Sequence, residues 1–152
     1  MTYKEVNKDL FTVDKSYFLA HCISADFKLG AGIAVEFDQR FDLKKKLSEL
    51  VPWGNNEKFW DADKSNHGYC LQVGNIFNLV TKRNYWDKPT LQTMKNALVD
   101  LRDLYCYYPG VKIAMPKIGC GLDRLNWDDV SELIQEVFKD TDVEILVCIR
   151  KL

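Results

Sequence analysis

Apolar positions along this chain fall into two kinds of run that alternate. Tyr17 to Ile23, Tyr69 to Val73, Ile76 to Thr81, Val111 to Met115 and Val143 to Ile149 are short apolar stretches, the last one β-branched. Near-continuous runs of this length are expected of strands covered on both faces. Thr2 to Val6 alternates weakly and predicts an edge strand. Between these runs the period changes to that of a helix. Ile33 to about Phe41 and Leu43 to Val51 carry helical patterns, and Pro52 ends the second. Thr90 to Tyr105 places Leu91, Met94, Leu98, Leu101 and Tyr105 on one stripe, after Pro89-Thr90 as a start signal. Asn126 with Asp129 resembles an N-terminal cap. Trp127, Val130, Leu133, Ile134, Val137 and Phe138 give the helix behind it an apolar face. Apolar strands alternating with amphipathic helices predict a three-layer α/β/α domain, with a mixed, largely parallel sheet between helices.

From Pro52 to Gly68 the chain is polar, with Trp53, Trp60 and Asn55-Asn56, and reads as a surface excursion held by aromatic anchors. The 152 residues suit a single domain over 1–152, large enough to bury a core without disulfides or a metal. A net charge of -1, from 21 basic and 22 acidic residues, provides no global pull toward nucleic acid or an anionic membrane. Lys44-Lys45-Lys46, flanked by Asp42 and Glu49, reads as a solvated helix face. The five cysteines are never spaced C-x-x-C and, with two histidines, make no zinc pattern, so reduced thiols and no metal are expected. No apolar run approaches the roughly 18 residues of a membrane span. A soluble, cytoplasmic monomer without a cofactor is the expectation.

Two loops carry paired glycines where strands should end. One is Lys28-Leu-Gly30-Ala-Gly32-Ile33; the other is Ile118-Gly119-Cys-Gly121-Leu-Asp123. Ligands of layered α/β domains bind outside the carboxyl ends of strands, and glycine lets backbone N–H groups approach an anion closely. Either loop alone is equally served by a tight turn. Two at comparable positions are better explained by a clamp on a diphosphate. Neither loop continues as G-x-G-x-x-G or as a Walker loop, which argues against a nicotinamide dehydrogenase or a P-loop NTPase. Lys82 ends one predicted strand and Asp123 follows the second glycine loop. In isolation a lysine there is a solvated terminus and an aspartate is a cap. Beside a phosphate cradle they offer an amine nucleophile and a carboxylate acid/base. A nucleophilic lysine must spend time neutral, which desolvation or a neighbouring cation would favour. Arg83 is adjacent, but strand alternation aims it at the opposite face. His21 lies in an apolar run and reads as a core residue, His67 as exposed. Cys120 is of use for its backbone N–H rather than its thiol.

The blocks Asn7-Lys-Asp-Leu10, Ala20 to Phe37 (AHCISADFKLGAGIAVEF), Leu79 to Thr90 (LVTKRNYWDKPT) and Met115 to Val130 (MPKIGCGLDRLNWDDV) occur in that order across nearly the whole chain. Together they resemble a macrodomain of the terminal ADP-ribose protein glycohydrolase branch, with no match in Pro52 to Gly68. The resemblance implies a compact macrodomain that binds ADP-ribose in a cleft above the strand ends. Asp9 and Leu10 would meet the adenine, with Ser24 nearby. Gly30, Ala31, Gly32 and Ile33 would line one side of the diphosphate and distal ribose. Pro116, Lys117, Ile118, Gly119, Cys120, Gly121 and Leu122 would cradle the other. Thr81 is counted among the substrate-binding positions, as is Arg150 from the chain's C-terminal end. Lys82 and Asp123 match the family's catalytic pair. The implied activity is removal of mono-ADP-ribose from protein Glu or Asp esters, or from a DNA base. A non-catalytic ADP-ribose reader and an O-acetyl-ADP-ribose deacetylase are the alternatives.

Overall fold

A computed structural model describes residues 1–51, 57–62 and 67–150. The chain opens with β1 (Thr2–Asn7), a single 3-10 turn (Leu10–Thr12) and β2 (Phe18–Ser24). The helices α1 (Ile33–Phe41), α2 (Leu43–Leu50) and α3 (Lys58–Ala62) follow, then β3 (Tyr69–Val73) and β4 (Ile76–Lys82). The rest is α4 (Leu91–Tyr105), β5 (Lys112–Met115), α5 (Trp127–Phe138) and β6 (Glu144–Ile149).

Local chemistry explains the boundaries. At the start of α4, Thr93 N donates to the Thr90 hydroxyl and Thr90 N donates to the Thr93 hydroxyl, a reciprocal cap. The Asn126 side chain accepts from Asp129 N at 3.2 Å to open α5. Asp42, at φ 52°, ends α1 and begins α2, so one left-handed residue turns the chain between two helices.

Six strands form one sheet in the order β1-β6-β5-β2-β4-β3. Every pairing is parallel except β3 with β4. Alternate residues of β2 show why the sheet is covered twice. Ala20 belongs to one buried apolar cluster with Met94, Leu98 and Leu101 of α4 and Ile134 and Phe138 of α5. Leu19 and Ile23 pack with Phe37 of α1 and Leu43 and Leu47 of α2. Each large side chain buried this way contributes roughly 1.5–3 kcal/mol. The result is the expected three-layer α/β/α arrangement.

The stripe on α4 differs in one place: Leu91 is exposed and Ala97 takes its place in the buried row. The excursion after α2 contains a short helix not expected from the sequence, α3, and its Trp60 is buried as an anchor would be, stacked on His67 at 4.8 Å. His67 is therefore half-buried rather than exposed. Trp53, Asn55 and Asn56 lie outside the described residues.

One topological detail positions the site. β2 and β5 are neighbours, yet the chain leaves β2 for α1 on one face and β5 for α5 on the other. Two connections that diverge from adjacent strand ends open a crevice between them. The carboxyl ends of β1, β2, β4, β5 and β6 all meet along that edge, since these strands run parallel.

Candidate active site

The loop from β2 to α1 is built against local preference. Phe27 and Leu29 adopt φ 54° and 49°, a region that costs a non-glycine residue of order 1 kcal/mol or more. Both side chains are buried, which holds them there. The Asp26 carboxylate adds an anchor, accepting from the Ser24 hydroxyl, from Lys28 N and from Tyr85 N. Gly32, at φ 61°, then directs the backbone into α1. Among the described residues, the N–H groups of Gly30, Ala31, Gly32 and Ile33 have no hydrogen-bond acceptor.

The loop from β5 to α5 is folded on itself. Leu125 N donates to Gly119 O at 2.8 Å, and Arg124 N to Gly121 O at 3.2 Å. The N–H groups of Gly119, Gly121 and Leu122 have no acceptor among the described residues. Gly119 has φ +72°, and a Cβ there would stand 2.7 Å from Met94 Cε. Gly121 keeps an ordinary φ, and a Cβ there would meet nothing within 4 Å. The two glycines thus serve different needs, backbone shape at Gly119 and open space at Gly121. Gly30 and Gly32 divide in the same way, since only Gly32 has a positive φ.

Between the loops lies a cleft of about 1150 Å³. At the end of β4, Lys82 Nζ donates to Asp123 Oδ1 at 2.6 Å, both side chains being about one-seventh exposed (14% and 15%). A short, charge-assisted bond between two largely desolvated groups fixes both in place. The neighbour of the amine is therefore a carboxylate, not the cation considered from the sequence. Toward the other end of the chain's strand edge, Arg150 Nη2 meets Asp9 Oδ2 and its Nη1 meets Glu36 Oε1, both at 2.9 Å. The Phe11 N–H and Arg150 hold the Asp9 carboxyl below its ordinary range. The cleft lining contains the cations Lys28, Lys44, Lys82, Lys88, Lys117, Arg124 and Arg150 against Asp9, Glu36 and Asp123. Among the described residues Lys28, Lys44, Lys117 and Arg124 take part in no ion pair, so the cleft is electropositive in an otherwise near-neutral protein.

The chain is 41% identical to human ADP-ribose glycohydrolase OARD1 over 145 residues, which span 93% of this chain and 88% of the relative. It belongs to the OARD1 family. No family model matches the chain. Among solved structures, the macrodomain of Mycobacterium tuberculosis DarG aligns over 99% of both chains with a TM-score of 0.74 at 20% identity. Thermosipho africanus DarTG in complex with ADP-ribose aligns over 97% of this chain and 41% of its own, with a TM-score of 0.67 at 18% identity. The fold is that of a macrodomain.

The OARD1-family cleft of this chain gathers most of the positions read from the sequence. Asp9, Leu10, Ser24, Gly30 to Ile33, Lys82, Pro116 to Asp123 and Arg150 all line it. Thr81 does not. It is fully buried, and alternation along β4 turns it away from the face that carries Lys82. Ser24 is the register partner of Lys82, across a bulge between Ile23 and Ser24, and its hydroxyl donates to Asp26. Arg83 follows the end of β4, so strand alternation does not extend to it; it binds Asp61 and Glu57 and is not among the lining residues.

His21 is fully buried, with Nε2 2.7 Å from Asn78 Oδ1 and its ring stacked on Phe37. Burial pulls its pKa down to about 4, so it is a neutral core group at ordinary pH. Burial likewise raises Cys22, Cys120 and Cys148, which keeps the cleft's thiols protonated and poorly nucleophilic.

Glu36, Tyr85 and Lys88 line the cleft and Asp26 anchors the loop beside it, and none of the four stands out in the sequence. Lys88 Nζ donates to Leu122 O at 2.7 Å, joining the β4–α4 loop to the second glycine loop. Glu36 sits in the first turn of α1, and its Oε2 is shielded without a partner among the described residues. An aspartate two residues past a strand end, as Asp26 is past Ser24, was the available signal for that anchor.

Proposed function

We propose that this protein is an ADP-ribose glycohydrolase. It binds ADP-ribose in the cleft and removes mono-ADP-ribose from protein Glu or Asp esters or from a DNA base, acting as a monomeric macrodomain. The observation that carries this reading is the Lys82–Asp123 pair, held at 2.6 Å between two loops with unclaimed N–H groups. The loops and the unpaired cations suit a diphosphate; a lysine paired with an aspartate is what bond cleavage at the adjoining sugar requires. A reader that only holds ADP-ribose needs no such pair.

In the proposed reaction the Lys82 ammonium first passes a proton to Asp123 across their hydrogen bond. The freed Nζ lone pair attacks C1″ of the distal ribose. The bond from C1″ to the ester oxygen breaks, and its electron pair leaves with the Glu or Asp carboxylate. Asp123 hands its proton to that departing carboxylate, then accepts one from the water whose oxygen bonds to C1″; the C1″–Nζ bond breaks with its electron pair on nitrogen, and Asp123 returns the proton to the amine as free ADP-ribose departs. Gly30 to Ile33 and Lys117 to Leu122 would hold the diphosphate, and Asp9, Leu10 and Arg150 the adenosine.

The test is release of ADP-ribose from an ADP-ribosylated Glu peptide. Lys82→Ala should lower the rate by at least about a hundredfold, the usual scale for removing a nucleophile or its acid/base partner. Asp123→Ala should lower it similarly, since it removes both the acceptor of the Lys82 proton and the base that activates water. A Lys82→Ala enzyme as fast as wild type on every conjugate would overturn the covalent route.

A further inference from the structure

We propose that Lys88 is a positioning residue for the reaction: by holding the Leu122 carbonyl, it keeps Asp123 aimed at the reacting carbon once Lys82 has bonded to the sugar. The inference rests on the hydrolase reading above and adds a residue to that site.

Asp123 sits in a turn. Arg124 N donates to Gly121 O at 3.2 Å, which makes Leu122 and Asp123 the two central residues. The turn has little apolar hold of its own. Leu122 is 63% exposed. Arg124 is exposed as well and adopts φ 61°, a conformation that is costly for a side chain other than glycine's. Phe27 and Leu29 on the other loop carry the same strain but are held by burial; Arg124 is not. Lys88 supplies a hold from outside, its Nζ donating to Leu122 O at 2.7 Å. That carbonyl belongs to the peptide joining Leu122 to Asp123. Turning the peptide over would carry Asp123 to positive φ, which it does not adopt here, and would re-aim its carboxylate.

The lysine stands on a firm base. In the turn before it, Asn84 N donates to Asp87 Oδ2 and Asp87 N to Asn84 O. Tyr85 N donates to Asp26 Oδ2 on the first glycine loop. Pro89, next in the chain, is buried. Lys88 thus refers the position of Asp123 to the opposite wall of the cleft.

The reaction makes this hold necessary. At the start, the 2.6 Å bond from Lys82 Nζ fixes Asp123 directly. After Nζ has bonded to C1″ it follows the sugar, and it no longer sets where Asp123 points. Asp123 must still accept a proton from water at a defined place. The Lys88 bond persists through this stage because it involves neither reacting group. A misplacement of about 1 Å at such a stage costs up to about a hundredfold in rate.

The experiment follows a single turnover of an ADP-ribosylated Glu peptide and times the release of peptide and of ADP-ribose separately. Lys88→Met keeps the stem and loses the donor. It should release peptide within about threefold of the wild-type rate and ADP-ribose about tenfold more slowly or worse. Lys88→Arg, which keeps a donor, should recover most of that loss. Binding of free ADP-ribose, read by calorimetry, should stay within about twofold of wild type. In an Asp123→Ala background, Lys88→Met should cost nothing further, because it acts through that carboxylate. Wild-type timing of both products in Lys88→Met would refute the proposal. So would a loss matched by weaker ADP-ribose binding, which would make Lys88 a ligand contact, or an undiminished loss in the Asp123→Ala background. Release of neither product by the wild-type enzyme would instead refute the hydrolase reading.

Discussion

Gly119 is the residue in the cleft where one added methyl group meets most resistance. Its φ of +72° and the 2.7 Å approach to Met94 act together, so Gly119→Ala strains the backbone and displaces a side chain of the core. A loss of about 1–3 kcal/mol is expected, which lowers Tm by roughly 3–10 °C in a domain of this size and is read by thermal unfolding. Gly121→Ala is the contrasting case. Its new methyl enters open space, so Tm should hold while ADP-ribose affinity falls, as titration calorimetry would show. His21 makes a further prediction at this scale. Its folded pKa of about 4 lies below the 6.5 of an exposed histidine, so the unfolded chain binds the extra proton between those values. Stability is fully present above about pH 6.5 and declines as pH falls toward 4, by on the order of 3 kcal/mol from this group. Urea denaturation at pH 7.5 and 5.0 should show that slope in wild type and a shallower one in His21→Gln.

At the scale of the element, period and punctuation made most of the fold legible. α1 begins and ends where the apolar period does, and the Asn126 cap opens α5 as its spacing implies. β2 and β4 were readable because both of their faces are buried, leaving uninterrupted apolar runs. The part that escaped is what depends on neighbours distant in sequence. α3 is five residues long, too short for a period to register, and it is fastened by Trp60 against His67 and Tyr69. Thr81 adjoins Lys82 in sequence, and alternation along β4 sets the two on opposite faces. Glu36 could not be distinguished from any other first-turn acid until Arg150, 114 residues later, was seen beside it. That contact yields an element-level prediction. Arg150 is half exposed, so solvent screens its two ion pairs and they add little to stability. Arg150→Ala should therefore leave Tm nearly unchanged while weakening ADP-ribose binding several-fold, because it releases the carboxylates of Asp9 and Glu36 into the cleft.

For the molecule as a whole, a net charge of -1 coexists with a cleft whose cations outnumber its acids. ADP-ribose affinity should fall several-fold between about 50 and 500 mM salt, since the screening length shrinks from over 10 Å to a few ångströms across that range. Salt-independent binding would mean that the diphosphate is held by backbone N–H groups alone. The strand order has a different kind of consequence. β6 follows the other five strands in chain order, yet it lies between β1 and β5, and among the described residues β1 has no other partner in the sheet. A ribosome therefore releases the N-terminal strand long before its place exists. β1 must wait, unpaired, until β6 emerges, and only then do Asp9 and Arg150 come together. Catalytic competence should arise in one step once β6 has been made, with the interval before it the time at which the nascent chain most needs protection from edge-to-edge association.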